Sequence, residues 1–121
     1  MNQAETEAPQ GPPLTQYRTH GDLVFTSGQI GLLPDGAIPE DFGRQAHLAI
    51  QALKRQLEAA GASLETTIKT TVFVTRHDDF AAMNQIYTEY FHDPWPARST
   101  VVTGLALPGL LFEIEAVAHR G

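Results

Sequence analysis

An arginine and two glutamates are the residues of this 121-residue chain whose types and spacing could do chemistry together. Arg98 stands at the start of a β-branched series, and Glu113 and Glu115 alternate with apolar residues near the C-terminus. A guanidinium binds a carboxylate through two parallel hydrogen bonds, and a carboxylate in a partly dry cleft can move a proton to or from water. The set suits a site that anchors a small acid and does acid–base work on it.

How these side chains meet depends on the pairing of the last two predicted strands. Alternation puts Glu113 and Glu115 on one strand face, away from the residues expected to pack under helices. We expect a hairpin around the loop "GLALPG", with Arg98 on the same face as both glutamates. The register leaves two alternatives, Arg98 opposite Glu113 or opposite Glu115. A plain cross-strand ion pair fits the same pattern and is the commoner arrangement.

Composition limits the kinds of function. The net charge is −6 and the basic residues are scattered without a basic stripe, so no nucleic-acid partner is expected. Because the chain has no cysteine, disulfides, thiolate catalysis and cysteine zinc sites are excluded, and a cytoplasmic location is expected. The five histidines lack metal-ligand spacing, so no metal site is predicted. No apolar run is long enough for a membrane span.

The hydrophobic periodicity predicts the elements that must position these residues. "YRTHGDLVFTSGQI" predicts a hairpin, in which Ser27 shares a strand face with Phe25 and Gln29. Helices are expected over about 39–60 and 79–91, and strands over about 66–75, 98–103 and 110–118. Each predicted helix has an apolar stripe at helical spacing, which is expected to be buried: Phe42, Ala46, Ala49, Ile50, Leu53 and Leu57 on the first, and Phe80, Met83, Tyr87 and Phe91 on the second. The order ββαβαββ predicts an α+β fold with two helices on one face of a sheet.

The chain is short enough for one domain, which we place at residues 12–121. Residues 1–11 are acidic and proline-rich without the features of a secretory signal, and we expect a mobile tail there. Two helices cover one sheet face only, and the other face would carry Leu111, Val117 and Val102. We therefore expect oligomerisation, with a half-polar exposed face in a monomer as the alternative.

Several motifs stand in a familiar order: "TSGQI" at 26–30, "AAG" at 59–61, "IKTTVFV" at 68–74, "DFAAMNQIY" at 79–87, "PARSTV" at 96–101, and "LP" followed by "EIEAVA" at 113–118. Over about residues 12 to 119 the chain resembles the Rid family, also called YjgF or L-PSP endoribonuclease-like. The resemblance implies a chorismate-mutase-like α+β fold with a mixed sheet. It implies a homotrimer with inward-facing sheets and clefts between subunits. It also implies hydrolysis of a reactive enamine or imine to a 2-oxo acid and ammonia, without cofactor or metal.

The resemblance also assigns roles to single positions. Arg98 of "PARS" matches the arginine that binds the substrate carboxylate. Glu113, the first glutamate of "EIE", matches the glutamate that helps to position the hydrolytic water, which makes Glu115 structural. Ser27 and Gly28 of "SGQ" match the wall of the cleft.

Three further positions bear on the choice of substrate. Asn84 stands at the family's asparagine position, and Thr100 stands where many members have a cysteine. Leu14 of "PPLTQ" replaces the tyrosine of the "GPYSQ" segment that lines the cleft in many deaminating members. Loss of a hydroxyl and gain of an apolar wall predict an altered preference, such as a bulkier or more apolar imine.

Two other functions compete with the deaminase. The first is a non-enzymatic trimer that binds 2-oxo acids or other small molecules as a regulator, or that holds partner proteins in a chaperone-like way. The second is a ribonuclease, which the family's older name claims. The acidic charge and the missing aromatic–basic surface argue against the ribonuclease.

Overall fold

The computed structural model describes residues 11–121, in which a five-stranded sheet carries two helices. The elements are β1 (Tyr17–His20), β2 (Leu23–Thr26), α1 (Phe42–Ala59), β3 (Thr67–Val74), α2 (Phe80–Tyr87), β4 (Ala97–Val102) and β5 (Phe112–His119). Short 3-10 turns at Leu64–Thr66 and His77–Asp79 precede β3 and α2. The predicted mixed α+β sheet with two helices is confirmed. Residues 1–10, which make up most of the predicted tail, lie outside the described residues.

The strand order across the sheet is β1-β2-β5-β3-β4. β4 runs parallel to β3 at one edge, and β5 runs antiparallel between β2 and β3. The expected hairpin of β4 with β5 is therefore wrong, because β3 separates the two strands. A helix that connects two strands favours parallel neighbours, and α2 connects β3 to β4 in this way. The loop of residues 103–111 then crosses the end of β3 to reach β5.

Both helices pack on one face of the sheet. α1 begins after Asp41, whose carboxylate accepts a hydrogen bond of 2.9 Å from the backbone N–H of Arg44. Gly61 follows the end of α1 with φ of +87°, a conformation that favours glycine. The predicted apolar stripe of α1 is buried throughout and packs on inward side chains of β2, β3 and β5. Within residues 11–121, no helix is long and apolar enough to cross a membrane.

α2 is shorter than predicted, because it ends at Tyr87. Phe91 lies beyond the helix and folds back to stack on the Tyr87 ring, with 4.4 Å between the ring centroids. Phe80 was expected in the buried stripe but is exposed, and Ile86 takes an inward position instead. Asp79 precedes the helix without capping it, since its carboxylate pairs with Arg76 at 2.8 Å.

The sheet face away from the helices is uncovered in the single chain. Of the three apolar residues expected there, Val117 lies on it beside Phe25. Val102 instead pairs with the buried Val74, and Leu111 packs against the core, so both of these placements are wrong. The apolar part of this face consists of Phe25, Phe73, Val101 and Val117. Apolar surface of this kind supports the prediction that the chain oligomerises.

A buried glutamine fixes the point at which β5 begins. The Gln45 side-chain amide donates to the carbonyl oxygens of Pro39 at 2.7 Å and Gly109 at 2.9 Å. Its oxygen accepts a hydrogen bond of 2.8 Å from the backbone N–H of Leu111. Because an unpaired buried polar group is costly, these bonds hold the loop before β5 against α1. The position of Glu113 in β5 follows from this anchor.

Candidate active site

Arg98 lies beside a cavity of about 300 Å³ between α2 and the start of β4. We term this cavity the arginine pocket, and it is lined by Asn84, Tyr87, Thr88, Trp95, Pro96 and Arg98. The β3 partner of Arg98 is Thr70, which is fully buried under α2. Arg98 therefore faces the helix side of the sheet, and its predicted place on the uncovered face is wrong.

The Arg98 guanidinium is held by neutral groups. Its Cζ lies 4.9 Å from the centroid of the Tyr87 ring, and its Nη1 lies 3.7 Å from the sulfur of Met83. A cation over an aromatic face is attracted by the ring quadrupole. Within residues 11–121, no carboxylate forms an ion pair with Arg98. The guanidinium thus keeps its planar fork of donors available for an anion.

Tyr87 is fixed from two sides, and it fixes Arg98 in turn. Its hydroxyl lies 2.7 Å from the hydroxyl of Thr70, and its ring stacks on Phe91. Burial raises the pKa of Tyr87, and the hydrogen bond with Thr70 and the charge of Arg98 oppose that rise. The phenol is therefore neutral at physiological pH. The sequence predicted Tyr87 as a core residue only. Its contact with Arg98 joins α2 to β4, and no local sequence pattern indicates such a contact.

Glu113 lies on the uncovered face of β5, beside the segment that follows β2. Gly28 approaches it so closely that a methyl group at position 28 would overlap the Glu113 carboxylate. The Ser27 hydroxyl donates to the carbonyl oxygen of Thr15 at 2.5 Å. Leu14 is 53% exposed and shares a surface depression with Ser27. We term Leu14, Ser27, Gly28 and Glu113 the glutamate ledge.

A shift of register brings Gly28 to Glu113. β2 ends at Thr26, and Gln29 then bridges to Ile114, one residue out of step with the pair of Phe25 and Val117. Gln29 is consequently buried, and its predicted place on the same face as Phe25 is wrong. A single inserted residue flips the faces of a strand, and strict alternation cannot foresee it.

Burial raises the pKa of Glu113, and the charge of Glu115 raises it further. The two carboxylates share one face as predicted, since Glu113 pairs with Phe73 and Glu115 pairs with Thr71 on β3. A carboxylate with a raised pKa is a stronger proton acceptor once it is ionised. Glu113 therefore has the electrostatic setting of an acid–base group.

Arg98 and Glu113 of one chain lie on opposite faces of the sheet. Their β3 partners are Thr70 and Phe73, and β3 itself separates the strands that carry them. With ordinary strand spacing, the offset is roughly 10 Å across the strands and roughly 10 Å along them. Neither predicted register occurs, because neither Glu113 nor Glu115 stands opposite Arg98. One small molecule cannot touch Arg98 and Glu113 of the same chain.

The other predicted site residues divide between these two regions. Asn84 lines the arginine pocket, Gly28 lies against Glu113, and Leu14 shares a surface depression with Ser27. Leu14 and Gly28 also line a cavity against α1. Thr100 shares the strand face of Arg98 but lies outside the pocket lining. Within residues 11–121, no three histidine, aspartate or glutamate side chains come together as metal ligands.

The sequence matches a known protein family along nearly its whole length. The sequence profile of the family described as Endoribonuclease L-PSP matches residues 6–120. The chain belongs to this family, the Rid (YjgF) family. The predicted family membership is confirmed.

Named relatives of this Rid-family chain include two curated proteins and a solved structure. The 2-iminobutanoate/2-iminopropanoate deaminase of Salmonella typhimurium is 39% identical over 112 residues, covering 89% of this chain and 88% of that protein. The mitochondrial protein mmf2 of Schizosaccharomyces pombe is 41% identical over 111 residues, covering 89% and 88%. The crystal structure of Escherichia coli TdcF with bound serine matches with a TM-score of 0.82 at 40% identity, covering 90% and 89%.

Proposed function

We propose that this Rid-family chain is a hydrolytic deaminase that converts reactive enamine or imine acids to 2-oxo acids and ammonia. The observation that carries the proposal is the Arg98 guanidinium, which neutral groups hold beside a cavity sized for a small molecule. The Salmonella relative is named for the deamination of two small imino acids. TdcF, crystallised with serine, fits a site for small molecules that carry a carboxylate.

We further propose that the complete site forms between subunits of a homotrimer. Within one chain the arginine pocket and the glutamate ledge lie on opposite faces of the sheet, so they can act on one substrate only if two chains contribute. A head-to-tail interface that closes into a ring repeats the same pairing in each cleft. In such a ring the uncovered apolar face packs toward the centre.

The reaction follows from the two charged groups. Arg98 holds the substrate carboxylate through two parallel hydrogen bonds. The enamine takes a proton on carbon and becomes a protonated imine, which is the electrophile. Glu113 accepts a proton from a water molecule as its oxygen bonds to the imine carbon, and the carbon–nitrogen π electrons return to nitrogen. Positioning together with one acid–base group supplies the rate acceleration.

The resulting carbinolamine then collapses. Protonated Glu113 returns its proton to the nitrogen, the carbon–nitrogen bond breaks, and ammonia leaves with the electron pair. The hydroxyl proton passes to Glu113 or to water, and the 2-oxo acid remains on Arg98. Leu14 adds apolar surface beside Ser27, and on this surface we base an altered substrate preference.

The deciding experiment generates 2-aminoacrylate and larger enamine acids in situ and follows their loss with and without the assembled protein. Faster hydrolysis that Arg98→Ala removes supports the deaminase. No acceleration by a correctly assembled protein overturns it in favour of a protein that only binds 2-oxo acids. Because Glu113 acts in its ionised form and its pKa is raised, activity falls on acidification at a higher pH than an ordinary glutamate would give.

A further inference from the structure

A tryptophan forms one wall of the arginine pocket. Trp95 lines the cavity together with Arg98 and Asn84, and it is 51% exposed. Pro94 and Pro96 flank it in the chain. A proline fixes its own φ and restricts the residue before it, so the segment that presents the indole is stiff. A stiff wall lowers the entropy cost of binding against it.

The pocket is lined by both polar and apolar residues. Arg98, Asn84 and Thr88 are its polar lining residues, whereas Trp95, Pro96 and the ring of Tyr87 supply apolar surface. Its volume of about 300 Å³ is more than a carboxylate alone would fill. A molecule held by its carboxylate on Arg98 therefore has room for a side chain against the indole.

We propose that Trp95 selects the substrate side chain, and that the preferred substrates are 2-imino acids with an aliphatic or aromatic side chain of several carbons. This inference rests on the proposed deaminase, in which the carboxylate binds Arg98. A longer side chain removes apolar surface of its own and of the indole from water. Short side chains, as in the substrates for which the Salmonella relative is named, leave most of the indole hydrated.

Trp95 is the sole tryptophan of the chain, so intrinsic fluorescence reports on this wall directly. The assembled protein is titrated with three stable products, pyruvate, 2-oxobutanoate and 4-methyl-2-oxopentanoate, while calorimetry gives the bound fraction. The proposal predicts a saturable change in emission and an affinity about tenfold higher for 4-methyl-2-oxopentanoate than for pyruvate. Equal affinities, or full binding without a change in emission, overturn it.

Substitutions test the same wall through turnover. In Trp95→Ala the ratio of kcat/KM for the long imino acid to that for the short one falls about tenfold, and Trp95→Phe retains most of it. Phe80→Ala is the matched control, because Phe80 is similarly exposed, at 45%, and lies outside the pocket. An unchanged ratio in Trp95→Ala, or an equal fall in Phe80→Ala, contradicts the proposal.

The two proposals fail in different ways. If no imine is hydrolysed but the 2-oxo acids bind with the predicted emission change and order of affinity, the deaminase is overturned and the selectivity of Trp95 stands. If hydrolysis depends on Arg98 but the ratio of kcat/KM for the long and the short imino acid is the same in wild type and Trp95→Ala, the deaminase stands and the selectivity is overturned.

Discussion

The arginine pocket and the glutamate ledge differ in how completely one chain builds them. In the pocket, Tyr87 is pinned by Thr70 and Phe91 and supports the Arg98 guanidinium, all within a single chain. In the ledge, Glu113 is half-buried on the sheet face that no helix covers, and no side chain of the described residues is recorded as a hydrogen-bond partner of its carboxylate. The pocket is thus preorganised within one chain, whereas under the proposed trimer the ledge gains a dry environment only from a neighbouring chain.

A substitution in the glutamate ledge gives the largest expected loss of activity. Glu113→Gln should lower kcat by about 10²- to 10⁴-fold, because it removes the acid–base group and leaves the carboxylate anchor in place. KM changes little, and steady-state kinetics on an in situ imine measure both constants.

Glu115→Gln is the matched control on the same strand face. It retains activity, and the acid limb of its pH profile moves to lower pH, because the Glu115 charge that raises the pKa of Glu113 is gone. An equal loss of kcat in the two variants would contradict the separate role of Glu113.

Substitution of Arg98 in the arginine pocket should weaken substrate binding. Arg98→Ala removes charge-assisted hydrogen bonds worth about 1.5–3 kcal/mol, so kcat/KM falls about 100-fold, chiefly through KM. Arg98→Lys keeps the positive charge but loses the planar set of donors, so its kcat/KM lies between the values of the wild type and Arg98→Ala. Arg76→Ala, which breaks an exposed pair with Asp79, is the control and leaves KM unchanged. If Arg98→Ala changes kcat alone, the arginine does not anchor the substrate.

Gly28→Ala sharpens the comparison within the ledge. The added methyl overlaps the Glu113 carboxylate and displaces it, so we expect kcat to fall by about 10- to 100-fold with the carboxylate anchor intact. Gly104→Ala is the matched control, because nothing lies within contact distance of a methyl group at position 104. Equal rates for wild type and Gly28→Ala would mean that the Glu113 position is unimportant.

The smallest expected effect on activity comes from a change to Tyr87, whose ring supports the Arg98 guanidinium. Tyr87→Phe keeps the ring under Arg98 and loses the hydrogen bond to Thr70, so KM stays within about twofold. The buried Thr70 hydroxyl is left unpaired, which lowers the free energy of unfolding by about 1–2 kcal/mol in a denaturant titration. A large rise in KM at wild-type stability would assign the hydroxyl to substrate binding.

Local sequence patterns predicted the parts of the fold that depend on residues close together in the chain. The apolar stripe of α1 and the tight turn of β1 and β2 follow from helical spacing and from Gly21, whose φ is +59°. The position of β4 depends on long-range pairing, and the predicted hairpin around the loop "GLALPG" is wrong. The strand–helix–strand order of β3, α2 and β4 was the signal that favours parallel pairing.

The same division holds for the site. Motif resemblance assigned Arg98, Glu113, Gly28 and Asn84 as site residues, and these roles stay predictions. It could not show that Arg98 faces the helices and Glu113 faces the uncovered side, because that depends on strand order. Trp95 was missed because "PWP" in the sequence indicates only the end of a helix.

Mixing two impaired variants tests the central claim, that pocket and ledge come from different chains, most directly. Arg98→Ala and Glu113→Gln chains are unfolded together in equal amounts and refolded. After the trimer mass is checked, they are assayed at a substrate concentration well below KM, where each variant alone is nearly inactive. Random assembly gives about a quarter of the clefts an intact arginine and an intact glutamate, so about a quarter of wild-type activity returns. If the mixture stays as inactive as its components while mixed trimers form, the site does not combine Arg98 and Glu113 of neighbouring chains.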